Sequence, residues 1–445
     1  MRDFMLRFFS STLGNYVDKD FSSSVFLNII LRLVALPFPL LLSIFLARIL
    51  GPEEFGVYSF VLAVTFLLYK PLDTSLANFS VRNLANESVK PNRLDIGMVA
   101  AFCLIMIGVV LIVYQLSFLI FLSGVNLVNA EVSRLIINMS VLLVFAMALI
   151  SLVGGIQRGL GNVTIGVLPD LVLKPVMLLA VFAIYVFFLK AQSLEAREFF
   201  FLYFVVVLLV LCAALLLYYK YIGIIPKLTI SAAAFWNSFG GFWPLFVMGF
   251  IQTLNSYLPI LFVGVLLSET DISSYKVADA IAANIGIGLL AVNVVLAPKL
   301  AASSRSGDMK RAQSILLSGS RLVLMLSIPI AILFLLFPEV LLGTLFGAKY
   351  VEAAPLLRIL ALGRLINAIG GPVGLTLNML GMERETMRIM TIATVINFFL
   401  CLVLIPYLGL IGAGISTGVC FLTWNCMLLL RLYQRSGLIA LPIRW

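Results

Sequence analysis

Apolar runs of about twenty residues follow one another from residue 25 to residue 431, and this succession decides what the chain can fold into. Wound as a helix at about 1.5 Å per residue, each run crosses a hydrocarbon layer about 30 Å thick. Of the 445 residues, 62% are hydrophobic and 11% charged, against roughly half and a quarter in a soluble domain. Too little polar surface remains to cover a water-soluble fold, so the solvent is a bilayer. No water there satisfies a free backbone amide, and each run must close its hydrogen bonds within itself as a helix. About twelve spans result: 25–50, 56–79, 96–122, 134–156, 164–189, 198–220, 238–266, 275–298, 314–338, 354–380, 386–406 and 411–431. The expected fold is all-α and integral to the membrane, with no soluble domain between spans.

Charge placement orients the spans. Residues 1–24 carry Arg2, Asp3, Arg7, Asp18, Lys19 and Asp20 and no long apolar stretch, which reads as a cytoplasmic interfacial segment and not a cleaved signal. With both termini cytoplasmic, the inner loops collect most cations, including Arg82, Lys90, Arg93, Arg158, Lys220, Lys227, Lys299, Arg305, Arg384 and Arg431. The outer side receives Arg48, Lys190, Arg197 and Lys349. Much of the net charge of +10 is thus a topology signal. The halves echo each other: GPEEFGVYSF (51–60) faces SETDISSYKV (268–277), and QRGLGN (157–162) faces LNMLGM (377–382). The expected organisation is an N-lobe of six spans (25–220), a cytoplasmic linker (221–237), a C-lobe of six spans (238–431) and a cytoplasmic tail (432–445).

Several chemistries are excluded at once. Histidine, the commonest general base and metal ligand, is absent. No phosphate-binding loop of the G-x-x-x-x-G-K-[ST] type occurs. The five cysteines, Cys103, Cys212, Cys401, Cys420 and Cys426, all lie in apolar runs, where they read as small core residues. No catalytic or metal-ligating constellation stands out, and no cofactor is expected.

Nine charges nevertheless fall inside spans: Arg32, Lys70, Asp73, Asp170, Lys174, Asp279, Arg321, Arg358 and Arg364. At mid-helix each costs about 2.5–3.5 kcal/mol on insertion scales, so such groups face a bundle interior or a wet cavity. Six bases against three acids favour an anionic cargo, and arginine's planar fork suits phosphate oxygens. The candidate substrate-binding residues are therefore Arg32, Lys70, Lys174, Arg321, Arg358 and Arg364. Arg32, Arg321 and Arg358 lie near span ends, where a long side chain can instead snorkel to the headgroups. Asp170 and Lys174, four apart, can equally form a neutral structural pair. Asp73, Asp170 and Asp279 are the candidates for taking a coupling proton or Na+.

Prolines interrupt the spans at Pro37, Pro39, Pro71, Pro169, Pro175, Pro244 and Pro259. Each removes a backbone hydrogen bond, and Pro37, Pro39, Pro71 and Pro244 are the hinge candidates. Gly370 with Gly374, and Gly414 with Gly418, read as close-packing sites. Tyr58, Tyr69, Trp236, Trp243, Tyr257 and Tyr275 can stack on sugar faces or line the membrane interface.

LARILGPEEFGVYSFVLAVTFLL (46–68), APKLAASSRSGDMKRA (297–312) and LFGAKYVEAAPLLRILAL (345–362) resemble the polysaccharide biosynthesis proteins known as Wzx-type flippases. These are members of the multidrug/oligosaccharidyl-lipid/polysaccharide exporter (MOP) superfamily. The resemblance implies two six-helix lobes, MATE-like and V-shaped, around a central cationic cavity that opens to each side in turn. It implies a secondary transporter and not an enzyme, in a bacterial or archaeal cytoplasmic (inner) membrane. The implied cargo is an oligosaccharide on undecaprenyl diphosphate, moved to the outer leaflet for O-antigen, capsule or exopolysaccharide synthesis and coupled to H+ or Na+. Implied partners are membrane lipid and a polysaccharide polymerase with its chain-length machinery; nucleic acid is not one. Two rivals remain at this level: a drug/cation antiporter of the same superfamily, which wants an acidic cavity, and a membrane polysaccharide polymerase or ligase, which wants a large outer loop.

Overall fold

The computed structural model describes residues 31, 35, 37–85, 93–122, 130–189 and 195–441. Arg32, most of the segment 1–36 and Lys190 lie outside the described residues. The helices are α1 (Pro37–Leu84), α2 (Arg93–Leu122), α3 (Ala130–Gly159), α4 (Val163–Leu168), α5 (Lys174–Leu189), α6 (Ala196–Tyr221), α7 (Ala232–Leu266) and α8 (Glu269–Ala282). They continue as α9 (Ile287–Ser306), α10 (Met309–Leu336), α11 (Pro338–Leu345), α12 (Ala354–Gly370), α13 (Val373–Met379), α14 (Glu383–Leu408) and α15 (Leu410–Ser436). Everything described between them is turn, short 3-10 or π helix, or extended linker.

Eleven stretches are long and apolar enough to cross a membrane. The first is the 48-residue α1, whose length of about 70 Å at 1.5 Å per residue far exceeds one crossing. Gly51 divides it: φ 76° and ψ 175° lie outside the helical region, and only glycine adopts such a conformation without cost. Pro52 follows as the first residue of a new helix, where its missing N–H is no loss. With that division the count becomes twelve, six in α1–α6 and six in α7–α15, as two six-helix lobes require.

Local chemistry shapes the spans in ways that apolarity does not. Between Pro169 and Pro175 the chain makes a π turn, Pro169–Leu173, closed by the Lys174 N–H to the Pro169 carbonyl. Two prolines six apart each delete a donor, and the ladder slips by one residue between them. Ser268 caps α8 by accepting from the Asp271 N–H while Asp271 reaches back to the Ser268 N–H, a reciprocal cap that fixes the helix start. The turns at Gly161 and Gly381 are built alike: Asn162 N–H bonds the Gln157 carbonyl at 2.9 Å, and Met382 N–H bonds the Leu377 carbonyl at 2.9 Å. Both glycines have positive φ, 91° and 77°, so the paired segments of the sequence carry the same C-terminal cap.

Side chains such as Phe188, 81% exposed, and Tyr407, 85% exposed, cover the outer faces with apolar surface, which only acyl chains solvate without penalty. Inside, α1 packs on α3, α3 on α6, α12 on α15, and α14 on α15. Small residues let backbones approach: a Cβ on Gly363 would stand 3.0 Å from the Gly418 Cα. The lobes meet where α7 and α8 cross α1. At the Gly51 end the seam is tight. A Cβ on Gly56 would collide with the Glu269 carbonyl. Arg48 donates to the Leu345 carbonyl at 2.7 Å and also to that of Thr344, while the Tyr350 hydroxyl donates to the Ala47 carbonyl at 3.1 Å. At the opposite end, Phe242 of α7 packs edge-on against Phe79 and Phe102, with centroids 5.8 and 5.4 Å apart.

Candidate functional site

Between the two seams lies a cavity of about 580 Å³, walled by α1, α7, α8, α12, α14 and α15. Most walls carry polar side chains on otherwise apolar helices, and that of α15 is largely aromatic. α7 supplies Gln252, Asn255, Ser256 and Pro259, and α15 supplies Thr417, Cys420, Phe421 and Trp424. Both sets fall at i, i+3, i+4 and i+7, one face of a 3.6-residue helix. Lys70 and Thr74 reach in from α1, Tyr275, Lys276 and Asp279 from α8, Arg364 and Asn367 from α12, and Asn397 from α14.

Three cations and one acid line this cavity, a formal charge of 3 − 1 = +2. Their states differ. The Arg364 guanidinium bonds Asp279 at 2.8 Å and lies over the Phe421 ring, 5.1 Å from its centroid. Lys70 bonds Asp73 at 3.1 Å and lies 5.2 Å from the centroid of Tyr69. Lys276 has neither hydrogen bond nor ion pair among the described residues. It is the lining cation whose charge no described residue answers, in a membrane where unanswered charge is costly.

The other expected site residues fall elsewhere. Lys174 pairs with Asp170 within the N-lobe, and its ammonium stands 5.8 Å from the centroid of the Tyr69 ring. Neither member of that pair, nor Asp73, lines the cavity. Arg358 bonds Glu339 at 2.7 Å and the Leu335 carbonyl at 3.2 Å, tying α12 to α10 and α11. Arg321 is exposed on α10 and away from the cavity. Pro71 is buried in α1 against Gly249 of α7; Pro37, Pro39 and Pro244 occupy exposed helical positions. Tyr257 and Tyr275 line the cavity, whereas Tyr58 and Tyr69 are buried in the N-lobe and Trp236 and Trp243 are exposed on α7.

Sequence reasoning missed Lys276, the carboxamides and the α15 aromatics. The apolar run of the eighth span starts at Tyr275, which put Lys276 at a membrane edge. The Ser268–Asp271 cap moves the helix start back to Glu269, so Lys276 sits two turns inside. Ser-x-x-Asp ahead of the run was the signal for that, and the polar set Gln252, Asn255 and Ser256 at i, i+3 and i+4 was the signal for α7.

Apolar helices in two six-span lobes around a polar, basic cavity define a polytopic membrane transporter. The chain belongs to the polysaccharide biosynthesis protein family, whose model matches residues 45–355. A probable low-salt glycan biosynthesis flippase, Agl15, of Haloferax volcanii is 24% identical over 166 residues. That match spans 37% of this chain and 35% of the relative, so the chain covers about a third of the relative's length. Among solved structures, an inward-facing multidrug resistance MATE family transporter of the MOP superfamily superimposes with a TM-score of 0.73 at 16% identity, over 92% of this chain and 98% of its own. The lipid II flippase MurJ, in an inward closed conformation, gives 0.72 at 14% identity, over 92% and 87%. The fold is that of the MOP superfamily.

Proposed function

We propose that the protein moves the headgroup of a lipid-linked oligosaccharide across the bilayer through this cavity, by alternating access. The carrying observation is the +2 lining with one cation, Lys276, left unpaired. A diphosphate stranded in hydrocarbon is costly, and a basic chamber between lobes removes that cost while the polyprenyl tail stays in lipid. Family membership supports the glycan cargo; a cation antiporter would want the opposite lining charge.

In this reading residues 25–220 and 238–431 move as lobes about the linker 221–237, with both termini cytoplasmic in a bacterial or archaeal inner membrane. The contacts of Arg48, Gly56 and Tyr350 close the outer side. Undecaprenyl diphosphate is the carrier, the repeat unit serves O-antigen, capsule or exopolysaccharide, and a polymerase receives it. Lys70, Lys276 and Arg364 hold the diphosphate. Coupling acts by displacement: Asp73, Asp170 and Asp279 each hold a basic partner, Lys70, Lys174 and Arg364. A proton or Na+ arriving at Asp73 or Asp279 frees Lys70 or Arg364 for the headgroup, one arriving at Asp170 releases Lys174 within the N-lobe, and the prolines at 71 and 244 absorb the helix movement.

The test is transbilayer movement of a fluorescent polyprenyl-diphosphate glycan in proteoliposomes. Native protein is expected to equilibrate the probe between leaflets and Lys276→Met to slow it at least tenfold. No movement with native protein, or an undiminished rate in the variant, removes the proposal.

A further inference from the structure

The wall of the cavity formed by α7, α12, α14 and α15 carries one charged group, Arg364, and otherwise carboxamides whose hydrogen bonds set which way they point. Asn425 is 5% exposed and does not line the cavity. Its Nδ2 donates to the Phe421 carbonyl at 2.8 Å. A carbonyl only accepts, so the amide cannot be turned round. The same Nδ2 donates at 3.0 Å to Asn367 Oδ1, which leaves the Nδ2 of cavity-lining Asn367 with no partner among the described residues. Gly370 makes this arrangement fit: a Cβ there would occupy the place of Asn425 Oδ1.

Asn255 is set in the same sense by different means. Its Oδ1 accepts from Asn397 Nδ2 at 3.2 Å and from the Cys420 thiol at 3.2 Å. Behind it the Cys401 thiol stands 3.6 Å from Asn397 Oδ1 and 3.2 Å from Ser416 Oγ. The Cys420 thiol also reaches the Ala393 carbonyl at 3.6 Å, and in this network the Asn255 and Asn397 oxygens face the protein while Asn255 Nδ2 has no partner among the described residues. Two buried cysteines expected to be inert filler thus stand in hydrogen-bond contact with a polar wall. Phe421 and Trp424 line the same cavity, with the Arg364 guanidinium over the Phe421 ring.

We infer that Asn255 and Asn367, backed by Asn397, Cys420 and Asn425, form a sugar-reading subsite that takes an acceptor-bearing pyranose, an acetamido sugar, next to the diphosphate. This rests on the transport reading above and adds to it the part of the headgroup that is uncharged. Outward N–H pairs match the acetamido carbonyl and ring-side hydroxyl oxygens, and the Trp424 ring matches the C–H face of a pyranose while Arg364 covers Phe421. Pre-oriented donors without a protein partner lose nothing internal when a ligand takes them, so each contributes its full hydrogen bond. Asn425 is a positioning residue: it touches no ligand and acts only through Asn367.

The experiment is equilibrium binding to the full chain in lipid nanodiscs with two probes, farnesyl diphosphate and farnesyl diphosphate N-acetylglucosamine. For the native protein the sugar is expected to tighten binding about tenfold, the equivalent of about one well-made hydrogen bond. Asn425→Leu is expected to shrink that gap to about twofold while farnesyl diphosphate still binds as it does to the native protein, which also shows that the variant is folded. Gly370→Ala, displacing Asn425 from the other side, is expected to do the same. Equal affinity of the native protein for both probes, or a full gap surviving in Asn425→Leu, overturns the sugar subsite and leaves the transport reading standing. Failure of the native protein to bind either probe overturns the transport reading, and the subsite falls with it.

Discussion

Lys276 and Arg364 line the same cavity, and removing each is expected to do different things. Arg364 holds Asp279 at 2.8 Å, with the two side chains 26% and 27% exposed. Arg364→Met strands a mostly buried carboxylate. Breaking a fully buried pair costs about 3–5 kcal/mol, and a quarter exposure to water in the cavity lowers this to about 1–3 kcal/mol. Lys276 holds no partner among the described residues, so Lys276→Met strands none of them and stability is expected to stay within about 0.5 kcal/mol. For a diphosphate ligand the order changes. Lys276 offers a free charge-assisted donor worth about 1.5–3 kcal/mol, or about ten- to a hundredfold in Kd. Arg364 must first share its charge with Asp279, so its loss is expected to weaken binding less than that of Lys276. The assay is thermal unfolding in detergent beside binding of farnesyl diphosphate in nanodiscs. If Lys276→Met binds within twofold of the native protein, or melts as early as Arg364→Met, the distinction between a free and a neutralised cation is wrong.

Three further outcomes follow from particular contacts. Gly56→Ala places a methyl on the Glu269 carbonyl and is expected to part the lobes at the Gly51 end, seen as faster thiol labelling of a cysteine introduced at Ala47 in an otherwise cysteine-free chain; an unchanged rate refutes the seam. Lys174→Met and Asp170→Leu are each expected to destabilise the N-lobe by about 3 kcal/mol, and the double variant by less than either, because one partner alone is an uncompensated charge. Additive losses would show that the two do not act as a pair. Glu385 stands 2.7 Å from Arg431 and 3.9 Å from both Arg388 and Arg435, so Glu385→Gln is expected to lower the melting temperature at low salt and to have a diminishing effect as salt is added. A loss independent of ionic strength would contradict that account.

The sequence by itself determined the solvent, the helical secondary structure and the number of crossings, because in hydrocarbon those follow from apolar length and obligatory backbone pairing alone. It also set the breaks, since Gly51–Pro52 and the Pro169–Pro175 pair act on their own backbone. Tertiary structure alone decided which charged residue meets which cavity. Arg321 and Arg364 both interrupt apolar runs, yet one is exposed on α10 away from the cavity and the other lies over Phe421. The difference is a rotation about the helix axis, and that angle is set by the neighbours a helix packs against, Gly418 against Gly363 for α12. The same holds for the carboxamides. Asn255 and Asn367 become a wall only when residues 112 apart share one opening, and their orientation comes from Asn397 and Asn425, partners that no spacing along the chain could name.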